Sequence, residues 1–282
     1  YDLSSCGGRG PMFWKLKQTI HRKNFNLRCA GILNTPKIRS DRGDLMVVSL
    51  VSHMDVLMYL AAIKTFHHYI KAGKFVVIND GTLTAHDLAL LRTHVDLYAM
   101  VPIQDIPMNN LPRGNCWERL AYIADHIQDH YIIQLDADTL FTGSLPEIDQ
   151  CYRDNVSFIT SSGFKINGVL LDGILPMPEI CQRMKTYKSD YVEIIIEARL
   201  DQLPDYHQLK YAKANVCFSG FGKNSISWNI LQEFSDHMRH IIGDRWNEWG
   251  TEKITGVYLA SNAPQACILP FPKYASYYAE PT

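Results

Sequence analysis

From residue 44 onward the apolar positions fall into short solid blocks, separated by longer stretches of helical spacing. Asp44–Val51 (DLMVVSLV) is almost continuously apolar, the pattern of a strand buried on both faces. Val56, Leu57, Leu60, Ile63, His67 and Ile70 then recur at helical intervals. Ser52, with Asp55 three residues on, is placed to open that helix as a capping box, and Gly73 to close it. Lys74–Asn79 (KFVVIN) predicts a second strand, ending in the sharp turn Asp80-Gly81-Thr82. A helix over Thr84–His94 and a strand over Asp96–Val101 follow, and Pro102–Gly114, with three prolines, reads as a loop. Helical spacing returns over Trp117–Gln128, through Leu120, Ile123, Ala124 and Ile127. Tyr131–Leu135 (YIIQL) is the next strand, and it runs directly into Asp136-Ala137-Asp138. Strands alternating with helices at this spacing imply βαβ units and a mostly parallel central sheet, an α/β fold.

The second half is less regular. Val156–Thr160 and Val216–Phe221 predict strands, Asp190–Arg199 a helix and Ser225–Ile242 a long helix, while Asn167–Pro178 is broken by glycine and proline. Residues 263–282, rich in proline and tyrosine, are expected to wrap the surface. Residues 1–43 read as an irregular basic lead-in or cap, carrying Arg9, Lys15, Lys17, Arg22, Lys23, Arg28, Lys37, Arg39 and Arg42, with a short helix near 12–22. The expected organisation is therefore a cap at 1–43 and halves at 44–170 and 171–282, joined in one compact domain.

Composition narrows the partners. The 282 residues are 46% hydrophobic and 20% charged, ordinary for a soluble globular chain. A formal net charge of -1 gives no global pull toward nucleic acid or an anionic membrane, so a polyanionic ligand would need a locally built site. No apolar run reaches the roughly 18 residues of a transmembrane helix, and no signal peptide is visible. Seven scattered cysteines (6, 29, 116, 151, 181, 217 and 267) without a CxxC pair argue against a disulfide framework or structural zinc, and a reducing, cytoplasmic setting is expected. The chain opens on Tyr1, not Met, so a removed targeting segment or anchor stays open.

The acidic pair carries the chemistry. In open α/β sheets, ligands bind beyond the carboxyl ends of the strands, where Asp136 and Asp138 fall. Alternate residues of an extended chain point the same way, so the two carboxylates can converge on one ion. Their hard oxygens suit Mg²⁺ or Mn²⁺, with water and phosphate oxygens completing the shell. Such an ion is a Lewis acid that neutralises charge on a departing diphosphate. The triplet alone equally fits a solvated turn, and it is the setting YIIQLDADTLFTGSLPEI that lends it weight.

That setting, with Trp117–Ile127 before it, resembles the family 8 glycosyltransferases and their relatives with the GT-A (single Rossmann-like) nucleotide-sugar transferase fold. The matching residues are Arg119-Leu120, Ile132-Ile133, Leu135-Asp136-Ala137-Asp138 and Leu145. The first strand Val47–Val51, the Asp80-Gly81-Thr82 turn, Cys217–Gly222 and Trp249–Lys253 extend the likeness in outline over about 44–260. The resemblance implies a nucleotide-sugar-binding half at 44–170 and an acceptor-side half with a C-terminal wrap at 171–282. By it, Asp138 binds the metal directly, Asp136 serves the metal, ribose or sugar, Val51 and Asp80 face base and ribose, and Arg119 approaches the sugar or diphosphate. Each has a plainer alternative: Arg119 as an exposed helix cation, Asp80 shaping its own turn, Val51 as core. Glu252 is the candidate base if the reaction inverts the anomeric centre, or a donor-sugar contact if it retains it, and Asp172 is a second candidate acid. The family's closing His-x-x-Gly-x-x-Lys-Pro-Trp segment is missing: the last histidine is His240, the third metal ligand is unassigned, and Lys273 is only a loose echo of the phosphate-binding lysine.

The expected function is metal-dependent transfer of a sugar from a nucleotide-sugar, with UDP the candidate carrier, to a carbohydrate or other hydroxyl acceptor. Two alternatives stand beside it. Ile132–Leu140 (IIQLDADTL) also fits the first motif of haloacid-dehalogenase-type phosphohydrolases, with Asp136 as nucleophile, Asp138 as acid/base and Ser161 in the second motif. Against it, the motif comes late in the chain and Thr139 stands where glycine is usual. The other is a non-catalytic nucleotide-sugar-binding protein. His67, His68, His237 and His240 read as packed or surface residues. Trp246 and Trp249 read as core before sugar-stacking platforms.

Overall fold

Four blocks of apolar sequence become adjacent parallel strands: β1 (Leu45–Val51), β2 (Lys74–Asn79), β3 (Leu97–Pro102) and β4 (Tyr131–Leu135). The computed structural model describes residues 20–276 apart from Arg22, Arg42 and Asn167. The helix expected near 12–22 lies almost wholly outside the described residues; helical backbone runs over 23–29.

Helix α1 (Val56–Ile70) returns the chain from β1 to β2. Ser52 and Asp55 do meet at its approach, but the Ser52 hydroxyl donates to the Asp55 carboxylate at 2.5 Å and caps no backbone N–H. The helix stops three residues before Gly73. Lys71 takes the left-handed position (φ 56°) and its N–H bonds the His67 carbonyl at 2.9 Å. Helix α2 (Ala85–His94) opens on a capping box between Thr84 and Asp87, and α3 (Trp117–His126) leads into β4.

The full sheet has seven strands in the order β11-β5-β10-β4-β1-β2-β3, where β5 is Ser157–Ser161, β10 is Ala214–Phe221 and β11 is Ala266–Leu269. Every neighbouring pair is parallel except those of β10, which runs antiparallel between β4 and β5. Gly220 makes that insertion possible. A Cβ there would sit 2.3 Å from the Phe158 ring and 2.8 Å from the Tyr131 hydroxyl, closer than carbon tolerates.

Alternate residues of β1, β2 and β4 feed opposite cores. Met46, Val48, Val76, Ile78 and Ile132 pack with Trp117, Leu120 and Ile123 of α3 and with the later helices. Leu45, Val47, Phe75, Val77 and Ile133 pack with Leu60, Ile63 and Phe66 of α1.

The second half differs from expectation in two places. The broken stretch Asn167–Pro178 holds short strands β7 (Val169–Leu170) and β8 (Ile174–Pro176), and β6 (Lys165–Ile166) lies just ahead of it. Pro178 starts a helix, α5 (Met177–Lys185), because its missing N–H is no loss in a first turn. Residues 266–269 are not surface wrap but β11, paired to β5. The remaining elements are α4 (Pro146–Arg153), α6 (Val192–Glu197), β9 (Lys210–Ala212), α7 (Trp228–Ile242) and α8 (Thr251–Ser261). Among the described residues no helix is long and apolar enough to cross a membrane.

Candidate active site

The carboxyl ends of β1, β2 and β4 bring three loops together. Val51 is fully buried in the α1-side core, so of this residue only the carbonyl serves the rim, accepting from the Asp80 N–H at 3.4 Å. Asp80 uses Oδ1 on its own turn, accepting from the Thr82 N–H (2.9 Å) and hydroxyl (2.7 Å). Thr82 Oγ1 in turn accepts from the His53 N–H at 2.8 Å, which ties the loop after β2 to the loop after β1.

At β4 the extended chain stops at Leu135. The Asp136 N–H donates to the Cys217 carbonyl at 2.8 Å, and the Thr139 N–H returns to the Asp136 carbonyl at 3.2 Å. The two aspartates therefore flank a turn, not the continuous strand assumed from their spacing. They remain electrostatic neighbours. Asp138 is exposed at the surface, yet its carboxyl is pushed up by the protein packed on its inner side and by the charge on Asp136, with Asp55 adding to the effect. Among the described residues no cation pairs with Asp138.

Asp136 is held from beneath. Arg119, buried on α3, pairs Nη1 with Asp136 Oδ1 and holds Nη2 3.6 Å from Glu252 Oε1. Arg119 is thus neither an exposed helix cation nor free to reach a ligand with its whole guanidinium. Burial disfavours its charge, but the Asp136 and Glu252 carboxylates outweigh burial and keep it protonated. Glu252 is the second residue of α8 and only 8% of its side chain meets solvent. Burial pushes its carboxyl up to about 7, with Asp136 adding and Arg119 and Lys253 opposing. Glu252 Oε1 and Arg119 Nε are buried without a hydrogen-bond partner.

The segment entering α8 is fixed in part by Glu193, which, with Glu197 and Lys213, the sequence did not single out. Gly250 (φ 101°) lies so close to Glu193 of α6 that a Cβ would be 2.8 Å from its Oε1. Glu193 pairs with Lys253 at 2.6 Å, and Glu197 with Lys213 at 2.6 Å, all four largely removed from water. Trp246 is core: fully buried, edge-on to Trp117 at 5.4 Å, its N–H on the Ser235 hydroxyl. Trp249 is 55% exposed, three residues before Glu252.

Two further candidates make no contact with this cluster among the described residues. Asp172 is exposed on the loop between β7 and β8, and no contact joins it to the Arg119 cluster among the described residues. Lys273 pairs with Glu147 at 2.6 Å, and Tyr274 Oη donates to the same carboxylate at 2.8 Å, so both fasten the C-terminal segment to the start of α4.

The donor set can be tested against a divalent cation. No group of three or more histidine, cysteine, aspartate or glutamate side chains among the described residues could hold a metal by itself. Asp138, unpaired and with its carboxyl raised by burial and by the charge on Asp136, and the Asp136 oxygen not engaged by Arg119 offer the few hard oxygens that suit Mg²⁺ or Mn²⁺ shared with phosphate and water. The chemistry of the donors fits such an ion and does not fit a closed structural site.

No protein-family model matches the chain, and no curated protein matches its sequence. Solved glycosyltransferases of the GT-A type are similar to it in fold outline at low identity. Core-mannan synthase A (CmsA/Ktr4) from Aspergillus fumigatus, in its Mn/GDP form, shares 11% identity with a TM-score of 0.48, over 84% of this chain and 77% of that one. The mannosyltransferase Ktr4p from S. cerevisiae shares 9% identity with a TM-score of 0.43, over 90% and 79%. Mouse xyloside xylosyltransferase 1, apo form, shares 9% identity with a TM-score of 0.41, over 83% and 84%. At such distances the roles of individual residues rest on this chain's own geometry.

Proposed function

We propose that the chain is a metal-dependent glycosyltransferase that moves a sugar from a nucleotide-sugar to an acceptor hydroxyl. The observation that carries the reading is the row Asp138, Asp136, Arg119, Glu252: an exposed acid, a tethered acid, a buried cation and a buried acid at the carboxyl end of the central strand. In this reading residues 44–170 seat the donor and 171–282 the acceptor. Asp138 and the outer oxygen of Asp136 would hold Mn²⁺ or Mg²⁺. The ion supplies Lewis-acid stabilisation of the departing diphosphate when bound.

Arg119 fixes Asp136 in orientation through their ion pair. Glu252, with its carboxyl raised to about 7, is poised to take a proton near neutral pH, which suits a base that deprotonates an acceptor hydroxyl in an inverting transfer. In a retaining transfer the same carboxyl would contact the donor sugar. Asp172, exposed and without a contact to the Arg119 cluster among the described residues, is set aside as base. The phosphohydrolase reading is less well served, since a nucleophilic Asp136 would have its electron density drawn toward Arg119.

The test is release of free nucleoside diphosphate from a panel of nucleotide-sugars, UDP-linked first, with and without Mn²⁺. Metal-dependent release that Asp138→Asn abolishes supports the proposal. Orthophosphate release from phosphate monoesters, with no nucleotide-sugar turned over, overturns it.

A further inference from the structure

Cys151 on α4 and Cys267 on β11 are 116 residues apart in the chain, and their sulfurs are 3.5 Å apart. A disulfide spans about 2.05 Å, so the remaining gap of about 1.5 Å is within reach of side-chain rotation and a small relaxation. Neither residue's position is accidental. Cys151 is buried beside Phe158, Leu269 and Tyr274, and its carbonyl accepts the Val156 N–H at 2.9 Å, which fixes the end of α4 against the sheet. Cys267 sits mid-strand in β11, in register with Phe158 of β5. Glu147 on α4 already grips Lys273 and Tyr274, so the two segments are joined at both ends of the helix.

We propose that Cys151 and Cys267 form a redox-active dithiol site that closes to a disulfide and locks the outermost strand β11 onto α4. Among the described residues no other pair of cysteine sulfurs lies within hydrogen-bond distance. Cys267 is half-buried and open to a small reagent, whereas Cys151 is enclosed. The hydrogen bond from Cys151 also holds the Cys267 thiol below its usual range, which favours Cys267 as the first nucleophile.

The oxidant is a low-molecular-weight disulfide of the oxidised glutathione type. The Cys267 thiolate attacks one of its sulfurs, its S–S bond breaks, and one thiol leaves. The Cys151 thiolate then attacks Cys267 Sγ in the mixed disulfide, the Cys151–Cys267 bond forms, and the second small thiol leaves. The protein gives up two electrons and two protons, and the reagent takes them up as two thiols.

The cross-link encloses the whole stretch from α4 to β11. It restricts the unfolded chain strongly and prevents β11, a four-residue edge strand, from fraying.

The experiment uses the full chain equilibrated with oxidised and reduced glutathione, alkylated under native conditions, digested and mapped by mass spectrometry. The expected result is a linked peptide pair carrying Cys151 and Cys267, two hydrogens lighter than the reduced peptides. The oxidised protein should melt higher than the reduced one by on the order of 5–10 °C. That difference should vanish in Cys151→Ser and in Cys267→Ser. Full alkylation of both thiols in the wild-type chain, a stable glutathione adduct, or pairing with another cysteine overturns the proposal. A linked pair with no rise in melting temperature overturns the locking role. The mapping uses wild-type protein, so a variant that fails to fold does not decide the matter.

Discussion

Replacing Glu252 by glutamine should stabilise the folded chain near pH 8 while removing its chemistry. Glu252 has a carboxyl pushed from 4.5 to about 7 in the folded state, chiefly by burial. Between those values the folded chain keeps a proton that the unfolded chain has released. The native state therefore binds more protons there, and stability falls as pH rises, from its full value below about 4.5 to its lower plateau above about 7. A shift of this size corresponds to about 3 kcal/mol, at 1.36 kcal/mol per pH unit, and it is an upper figure because Arg119 and Lys253 relax toward the ionised carboxylate. Glutamine matches the shape of the neutral acid and cannot ionise. Urea denaturation from about pH 4.5 to 9 should give coincident stabilities at the acid end. The variant should pull ahead of the wild type from about pH 4.5 upward and reach a constant lead of up to about 3 kcal/mol above about pH 7. Nucleoside diphosphate release should meanwhile drop. More stable but inactive is the signature of a group strained for function. Parallel pH profiles, or a variant less stable than the wild type near pH 8, would refute the reasoning.

Three further changes probe the same cluster. Asp138→Asn removes an exposed, unpaired charge, so it should change stability by less than about 0.5 kcal/mol while abolishing any Mn²⁺-dependent rise in melting temperature with a nucleotide-sugar present. Arg119→Met leaves Asp136 unpaired and Glu252 without its opposing charge. It should cost roughly 3 kcal/mol in denaturant unfolding, and Arg119→Lys should not restore it, because a point charge cannot serve two carboxylates as the fork does. Gly250→Ala forces a side chain into the left-handed region and against Glu193. Loss of about 2–4 kcal/mol and a fall in kcat are expected, measured by thermal unfolding and turnover, since Glu193 must release Lys253 next to Glu252.

Strands β1 to β4 were legible because burial on both faces writes a solid apolar block, and the acids stood visibly at the end of one. What a block does not carry is direction. Val216–Phe221 reads as a strand, but nothing local says that β10 runs against its neighbours; Gly220, the residue that lets it pass Phe158 and Tyr131, shows its reason only in three dimensions. β11 is only four residues long and lies between prolines, so its partner β5 defines it more than its own composition does. Helix α5 hid behind Pro178, a helix starter that reads as a breaker when the next turn is not examined.

The buried charges were hidden for a different reason, though a signal was present. Arg119 shares one face with Ile123 of α3 and with Ile127 just past its end, both fully buried, so its spacing points it at the core and not at water. Glu252 stands in the same relation to Gly256 and Ala260 on α8, and Glu193 and Glu197 lie one turn apart on α6 among buried aliphatics. A charge placed on a core-facing stripe must find a counter-charge, and each of these does: Arg119 with Asp136 and Glu252, Glu193 with Lys253, Glu197 with Lys213. Such pairs are a poor route to stability, because apolar side chains of similar volume would serve as well or better. Glu252 and Lys253 are consecutive, about 100° apart around α8, so one helix start is gripped by a cation from α3 on one side and an acid from α6 on the other. Packing alone would not require that arrangement. Holding a carboxylate at a fixed angle beside Asp136 does.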